Sequence, residues 1–152
     1  MIGFIGEYEA TLDNKGRFLL PAGVKKQLPE GEIPLFVINR GFEKCLTVYP
    51  MQSWKPIYEN ISALNDFDPK VREFRRYFLN GATQIEVDGA GRLLLPKSLM
   101  EHAGLEKDIV LVSAMDKLEI WDKNKYQQFF ENFSPESFSG LAAEVMAKKV
   151  QP

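Results

Sequence analysis

The chain has 152 residues, of which 45% are apolar and 26% are charged, and its formal net charge is −2. This composition excludes a disordered tail and provides enough apolar side chains for a core. The longest apolar runs have about four residues, whereas a membrane-spanning helix needs about 20. Cys45 is the only cysteine and no basic leader precedes Glu7, so we expect a cytoplasmic chain with no membrane partner.

The first third of the chain contains short runs of alternating polar and apolar residues, which predict strands joined by turns. The predicted order is strand, turn, strand, short helix, strand and strand, over residues 7–12, 13–16, 17–20, 21–28, 35–39 and 45–49. Pro21 suits the first position of the helix, because its missing N–H would have no partner there. One such unit of roughly 45 residues buries too little surface to fold alone.

Two helices are predicted next, over 51–63 and 69–79. Asp68 and Pro69 supply the N-cap and the first helical residue of the second helix. Three arginines share one face of this helix at i, i+3 and i+4 spacing, namely Arg72, Arg75 and Arg76. They fit a DNA backbone contact, a salt bridge to another subunit or a solvated helix face, and the residues alone leave these options open.

The second half of the chain repeats the first. Asp-x-x-Gly-Arg, followed by three apolar residues and a proline, stands at 13–21 and again at 88–96. Such a repeat predicts two related units, which share one core if they pack together or interleave. The elements of the second unit are predicted at 83–87, 92–95, 96–103, 109–113 and 117–121. Gly104 is the expected end of its helix.

These elements divide the chain into four segments. They are a first repeat over 7–54, a helical connector over 55–82, a second repeat over 83–126, and a C-terminal helix and tail over 127–152. Within the tail we predict a loop over 134–140, followed by a short amphipathic helix from Leu141 to Val150. The tail is expected to be loosely held.

The repeated turns are the main candidates for function. Asp13 and Asp88 are expected to shape the turns by accepting backbone N–H groups, and Gly16 and Gly91 by adopting positive φ. The arginine that ends each turn has two interpretations. Either it points outward to phosphate oxygens or guanine edges, or it folds back on its aspartate as a structural pair. The two candidates are Arg17 and Arg92.

The first copy carries the larger positive charge. Lys15 has no counterpart in the second turn, where Ala90 stands. The first helix also has two lysines at positions where the second helix has Met100 and Glu101. They are Lys25 and Lys26. We therefore expect the first half to be the better nucleic-acid face.

Residues for common catalytic sites are missing from the sequence. His102 is the only histidine and Cys45 the only thiol, so one chain offers no Cys/His metal site and no histidine-based triad. No phosphate-binding loop is present. We predict a protein that is not an enzyme and that uses no metal, no cofactor and no small-molecule substrate.

Together these motifs resemble the bacterial MraZ family over residues 4–130. The resemblance rests on Gly6-Glu7-Tyr8, the two Asp-x-x-Gly-Arg turns, Cys45-Leu46-x-Val48-Tyr49-Pro50, Phe78-Leu79-x-Gly81-Ala82, Ala103-Gly104-Leu105 and Ile120-Trp121-Asp122. It implies two SpoVT-AbrB-type repeats in an α+β, mostly β fold. This fold is a pseudo-twofold swapped-hairpin, or double-split, β-barrel with short helices between and after the repeats.

The resemblance also implies a function. It implies a sequence-specific transcriptional regulator in the cytoplasm and nucleoid that binds direct repeats in double-stranded DNA, upstream of the operon for cell division and cell-wall synthesis. A ring-shaped homo-oligomer would read several repeats together. The family's DNA contacts map onto Asp13, Lys15, Arg17, Asp88 and Arg92. The alternative is a ring-forming protein-interaction scaffold in which these arginines join subunits and no DNA is bound.

Overall fold

The computed structural model describes residues 3–29 and 34–148, which form eight strands and six helices. The strands are β1 Glu7–Thr11, β2 Arg17–Leu19, β3 Leu35–Arg40, β4 Leu46–Pro50, β5 Thr83–Glu86, β6 Arg92–Leu94, β7 Asp108–Ala114 and β8 Lys117–Asp122. The helices are α1 Ala22–Lys25, α2 Met51–Ser62, α3 Pro69–Leu79, α4 Lys97–Ala103, α5 Lys123–Glu131 and α6 Pro135–Ala147. Each predicted strand is present, with bounds within about one residue of those expected from the alternation of side chains.

The two repeats exchange strands within the chain. Six strands form one antiparallel sheet in the order β1-β7-β8-β4-β3-β5. β1 of the first repeat pairs with β7 of the second, and β5 of the second repeat pairs with β3 of the first. This order is symmetric about the pair formed by β8 and β4, as a pseudo-twofold repeat requires. β2 and β6 pair with each other in a separate two-stranded sheet.

One hydrophobic core joins both sheets. The two-stranded sheet contributes Phe18 and Leu93, and the six-stranded sheet contributes Ile38 and Ile120, among other fully buried side chains. The short helices α1 and α4 add Val24 and Leu99 to the same cluster. Since each repeat supplies only part of both sheets, neither repeat has a complete core of its own.

The chain is thus α+β with antiparallel sheets, as predicted. Strands supply most of the core, whereas the helices contain more residues than the strands, so the expected strand-rich character describes the core rather than the chain. Within residues 3–29 and 34–148, no ladder joins the two sheets into a closed barrel. No helix in this part of the chain is both long and apolar enough to cross a bilayer.

The start of α3 and the end of α4 are those that their capping residues predict. α3 spans the expected 69–79, and the Asp68 side chain accepts a hydrogen bond from the Lys70 N–H at 2.9 Å. α4 ends at Gly104, whose φ of +60° forms a left-handed C-cap. α1 is shorter than predicted, because the chain continues to Leu28 with i→i+3 hydrogen bonds.

The predicted loop over 134–140 is wrong. α6 begins at Pro135, because the Ser134 hydroxyl accepts a hydrogen bond from the Ser137 N–H at 3.1 Å and proline suits the first helical position. Gly140 lies inside this helix rather than before it. The predicted helix end at Val150 lies outside the described residues.

Candidate nucleic-acid interface

The first Asp-x-x-Gly-Arg turn is closed by its own aspartate. Asp13 Oδ1 accepts hydrogen bonds from the backbone N–H groups of Lys15 and Arg17, both at 2.9 Å, and Oδ2 accepts one from Arg17 Nε at 2.7 Å. Gly16 has a φ of +84°, a conformation that disfavours any side chain, and its N–H donates to the Asp13 carbonyl. The turn chemistry therefore determines where the guanidinium group lies.

The second turn repeats this geometry. Asp88 Oδ1 accepts from the N–H groups of Ala90 and Arg92, both at 2.9 Å, and Oδ2 accepts from Arg92 Nε at 3.1 Å. The structural pair is thus present in both copies, but only Nε takes part in it. Among the described residues, the Nη atoms of Arg17 and Arg92 have no hydrogen-bond partner, which leaves them free for a ligand.

The bonds within the turns keep both aspartates ionised. The Arg17 N–H is the largest cause that lowers the pKa of Asp13, with the Arg17 side chain and the Lys15 N–H adding to it, to about 2. The Arg92 N–H is the largest cause that lowers the pKa of Asp88. Near neutral pH each carboxylate therefore holds its arginine through Nε, while the guanidinium charge remains accessible through Nη.

β2 and β6 place the two arginines on one surface, here called the ribbon face and defined as Arg17, Leu19, Arg92 and Leu94. In the strand register Arg17 lies opposite Leu94, and Leu19 lies opposite Arg92. Successive side chains of a strand point to opposite faces, and the middle residue of each strand is buried in the core. The four named side chains therefore lie together on the outer side, where Arg17 and Arg92 are 28% and 34% exposed.

Strand exchange places each turn beside the helix of the other repeat. A Cβ atom added to Gly16 would lie 2.8 Å from Met100 Cε of α4, and one added to Gly91 would lie 3.5 Å from Lys25 Nζ of α1. Lys25, which the sequence assigns to the first half, therefore lies beside the turn of the second half. That the first half is the better nucleic-acid face stays a prediction.

The first turn has lysines of its own. Lys15 is exposed within the turn, and a groove beside it is lined by Lys97 of α4 as well as by Lys15 itself. Sequence reasoning missed Lys97, because its role depends on α4 lying beside the turn of the other repeat. A lysine thus accompanies each arginine, which favours an anionic ligand at both turns.

The three arginines of α3 have different surroundings. Arg75 donates to three backbone carbonyls at and just after the end of α2, and it forms an ion pair with Asp66 at 2.6 Å. It thereby satisfies carbonyls that have no partner inside α2 and joins the two helices. Arg72 Nη1 donates to the Asp66 carbonyl at 3.0 Å, whereas Arg76 is exposed. A DNA or subunit contact by these arginines stays a prediction, and Arg75 is the least available for one.

Another group of polar side chains lies where the loop between β3 and β4 meets β8. Donor atoms of Glu43, Cys45 and Glu119 lie within 4.8 Å of one another. Burial, followed by the charges of Glu119 and Glu43, raises the pKa of the Cys45 thiol to about 12. Acidic side chains commonly lie this close together without an ion, and we assign no metal to this group.

Known proteins similar to this chain cover nearly all of it. The family model described as "MraZ protein, putative antitoxin-like" matches at residues 4–77 and again at 78–148. The proteins named "Transcriptional regulator MraZ" from Christiangramia forsetii and Cytophaga hutchinsonii are 47% and 44% identical, over 96% and 95% of this chain and 94% and 95% of their own. The one from Heliobacterium modesticaldum is 40% identical, over 94% of this chain and 96% of its own.

Proposed function

Because the chain belongs to the MraZ family, we propose that it is a transcriptional regulator, not an enzyme, and that it binds DNA in a sequence-specific manner. Its targets are direct repeats upstream of the operon for cell division and cell-wall synthesis. It binds them as a multivalent, ring-shaped homo-oligomer in the cytoplasm, associated with the nucleoid. The resemblance supports the choice of operon and the ring, and the relatives' names support the regulatory role.

One observation carries the DNA-binding proposal. Two guanidinium groups on one outer surface are each held at Nε by an aspartate, and within residues 3–29 and 34–148 neither has a hydrogen-bond partner at Nη. Fixing an arginine in this way removes part of the entropy loss that binding would otherwise impose on it. Two Nη donors in a fixed plane match the O6 and N7 acceptors of guanine, or two oxygens of a phosphate.

Oligomerisation compensates for the net negative charge of the single chain. A net charge of −2 makes a single subunit a weak ligand for DNA. Several linked subunits turn each later contact into an intramolecular one, which raises avidity by about 10²- to 10⁴-fold. We also propose that the two sheets are the parts of a double-split barrel, that the segment bounds are those predicted, and that Lys15 contacts DNA beside Arg17.

The test is binding of fluorescent DNA from the region upstream of the chain's own gene. We expect Arg17→Ala to abolish binding at physiological salt and to leave the oligomer mass unchanged by light scattering. Lys148→Ala is the matched control, because it removes one exposed cation from the end of α6, far along the chain from the turns. We also expect binding by the unmodified protein to weaken steeply with salt, as phosphate contacts do.

The scaffold alternative predicts the opposite pattern. If Arg17 and Arg92 hold subunits together, Arg17→Ala dissociates the oligomer, and DNA has no effect on the hydrodynamic size of either protein. Unchanged affinity of Arg17→Ala with an intact oligomer removes Arg17 from the site. Absence of binding to any fragment of the upstream region overturns the DNA-binding proposal itself.

A further inference from the structure

The ribbon face contains two exposed leucines that are not part of the hydrophobic core. Leu19 is 62% exposed and Leu94 is 51% exposed, although both strands direct their middle residue into the core. A single exposed leucine is ordinary, but here two lie on one small surface together with two arginines. What distinguishes these two leucines is that each lies opposite an arginine whose Nη atoms have no hydrogen-bond partner among the described residues.

The four side chains form an alternating pattern. Arg17 and Leu94 are direct cross-strand neighbours, and so are Leu19 and Arg92. Directly opposed side chains in an antiparallel pair have Cβ atoms about 4.5–5.5 Å apart, so each leucine adjoins an arginine. The pseudo-twofold relation of the repeats gives the face the same order of side chains when it is read along either strand.

The charges around the leucines determine which partner fits. Lys25 and Lys15 flank the two ends of the face, and both aspartates of the turns are already paired with Arg17 and Arg92. A ligand of this face must therefore offer negative charge and apolar groups within a few ångströms of each other. The major groove of DNA does so, because phosphates and guanine acceptors stand beside the C5-methyl groups of thymine.

The dimensions also agree. The major groove admits a two-stranded β-ribbon. Arg17 and Leu19 are two residues apart on one strand, roughly 6.8 Å, which equals about two base-pair steps of 3.4 Å where the ribbon runs along the groove. An arginine on guanine and a leucine on thymine are thus separated by a distance that a short operator sequence can supply.

We propose that Leu19 and Leu94 contact thymine methyl groups in the major groove and so help to determine which DNA sequence is bound. This inference rests on the proposed function and deepens it. The arginines supply charge and guanine recognition, while the leucines distinguish thymine from cytosine by contact with the methyl group.

Uracil substitution tests this without changing the protein. Deoxyuridine differs from thymidine by the C5-methyl group alone, so a series of operator duplexes replaces one thymine at a time by uracil. For each contacted thymine we expect affinity to fall about fourfold, which corresponds to one buried methyl group. At thymines that the protein does not contact, replacement by uracil leaves affinity unchanged. Full affinity for the whole series overturns the proposal.

Leucine variants complete a double-mutant cycle. Leu19→Ala and Leu94→Ala each lower affinity for the thymine duplex, and the uracil that weakens the unmodified protein has no further effect on the matching variant. Equal uracil effects in variant and unmodified protein overturn the assignment. Phe67→Ala is the matched control, because Phe67 is 91% exposed in the loop between α2 and α3 and its loss should change neither quantity.

The combined results distinguish failure of the thymine contact from failure of the proposed function. If Arg17→Ala abolishes binding while uracil and the leucine variants have no effect, the proposed function survives and the thymine contact is wrong. If the leucine variants change the oligomer mass and not the uracil effect, the leucines belong to a protein interface and the thymine contact is again wrong. The uracil series needs no variant, so a variant that fails to fold does not remove the test.

Discussion

The two Asp-x-x-Gly-Arg turns have the same internal hydrogen bonds and different neighbours. In both, one carboxylate oxygen accepts two backbone N–H groups at 2.9 Å and the other accepts the arginine Nε. The first turn lies against Met100, whereas the second lies beside the Lys25 ammonium group. Local sequence thus determines the shape of each turn, while the other repeat determines its chemical surroundings.

The largest expected effect concerns the two arginines. Because Arg17 and Arg92 have the same geometry, we expect Arg92→Ala and Arg17→Ala to weaken operator binding to a similar extent. Each should weaken it by about tenfold to hundredfold per bound subunit, as loss of one bidentate contact between a side chain and a base does. Measured by fluorescence anisotropy at one salt concentration, the two effects should lie within about threefold of each other. Near-normal affinity of Arg92→Ala would show that only the first turn binds DNA.

The glycines of the turns should differ in their effect on stability. Gly16→Ala and Gly91→Ala each place a side chain at positive φ, which costs about 1–2 kcal/mol of unfolding free energy. Gly16→Ala must also move the flexible end of the Met100 side chain, which adds a small further cost. Denaturant unfolding measures both, and Met100→Ala is the control background in which the two costs become equal. A larger cost at Gly91 contradicts the different packing of the turns.

A smaller effect on DNA binding is expected from Lys25→Ala, which tests whether Lys25 lies beside the second turn. If Lys25 serves the second turn, Lys25→Ala lowers the salt dependence of DNA binding by about one phosphate contact. Its effect on affinity should be non-additive with that of Arg92→Ala and additive with that of Arg17→Ala within about 0.5 kcal/mol. Non-additivity with Arg17 instead of Arg92 contradicts the crossed arrangement.

Local signals in the sequence predicted most of the elements. Alternation of side chains predicted the strands, and Asp68 with Pro69 predicted where α3 begins. The exchange of β1 and β5 between repeats was not predictable from the residues, because each strand has the same alternation whether it pairs within its own repeat or with the other. The start of α6 was missed because Ser134 and Gly140 favour a loop as readily as a cap and a helix interior.

The candidate site was likewise predictable from the sequence only in part. The spacing of Asp13, Gly16 and Arg17 contains the chemistry of the turn, so the structure adds distances to an arrangement that the sequence already implies. Lys25 and Lys97 acquire their places only through the exchange of strands. The exposure of Leu19 and Leu94 was available from alternation, since each lies two residues after an arginine that faces outward.

Protonation of the turn aspartates is expected to have the smallest effect at neutral pH. Its effect on the stability of the fold appears only in acid. The Arg17 N–H, together with the Arg17 side chain and the Lys15 N–H, lowers the pKa of Asp13 from 3.8 to about 2, so the ionised form is favoured in the folded state. The stability that Asp13 contributes is therefore fully present above about pH 4 and is lost as the pH falls through about 2. At about pH 6–8 neither aspartate changes its charge, and we expect no pH dependence of DNA binding from them.

The difference between the turns predicts which aspartate is protonated first. The ion pair is shorter in the first turn, at 2.7 Å against 3.1 Å, so Asp88 should take up its proton at a higher pH than Asp13. Carboxyl carbon shifts followed by NMR through an acid titration measure both. Asp13→Asn should remove most of the acid-dependent loss of stability between about pH 4 and 2 that the first turn causes, while the titration of Asp88 stays unchanged. A first turn that titrates at the higher pH would mean that the bond to Arg17 Nε contributes less in solution than its length implies.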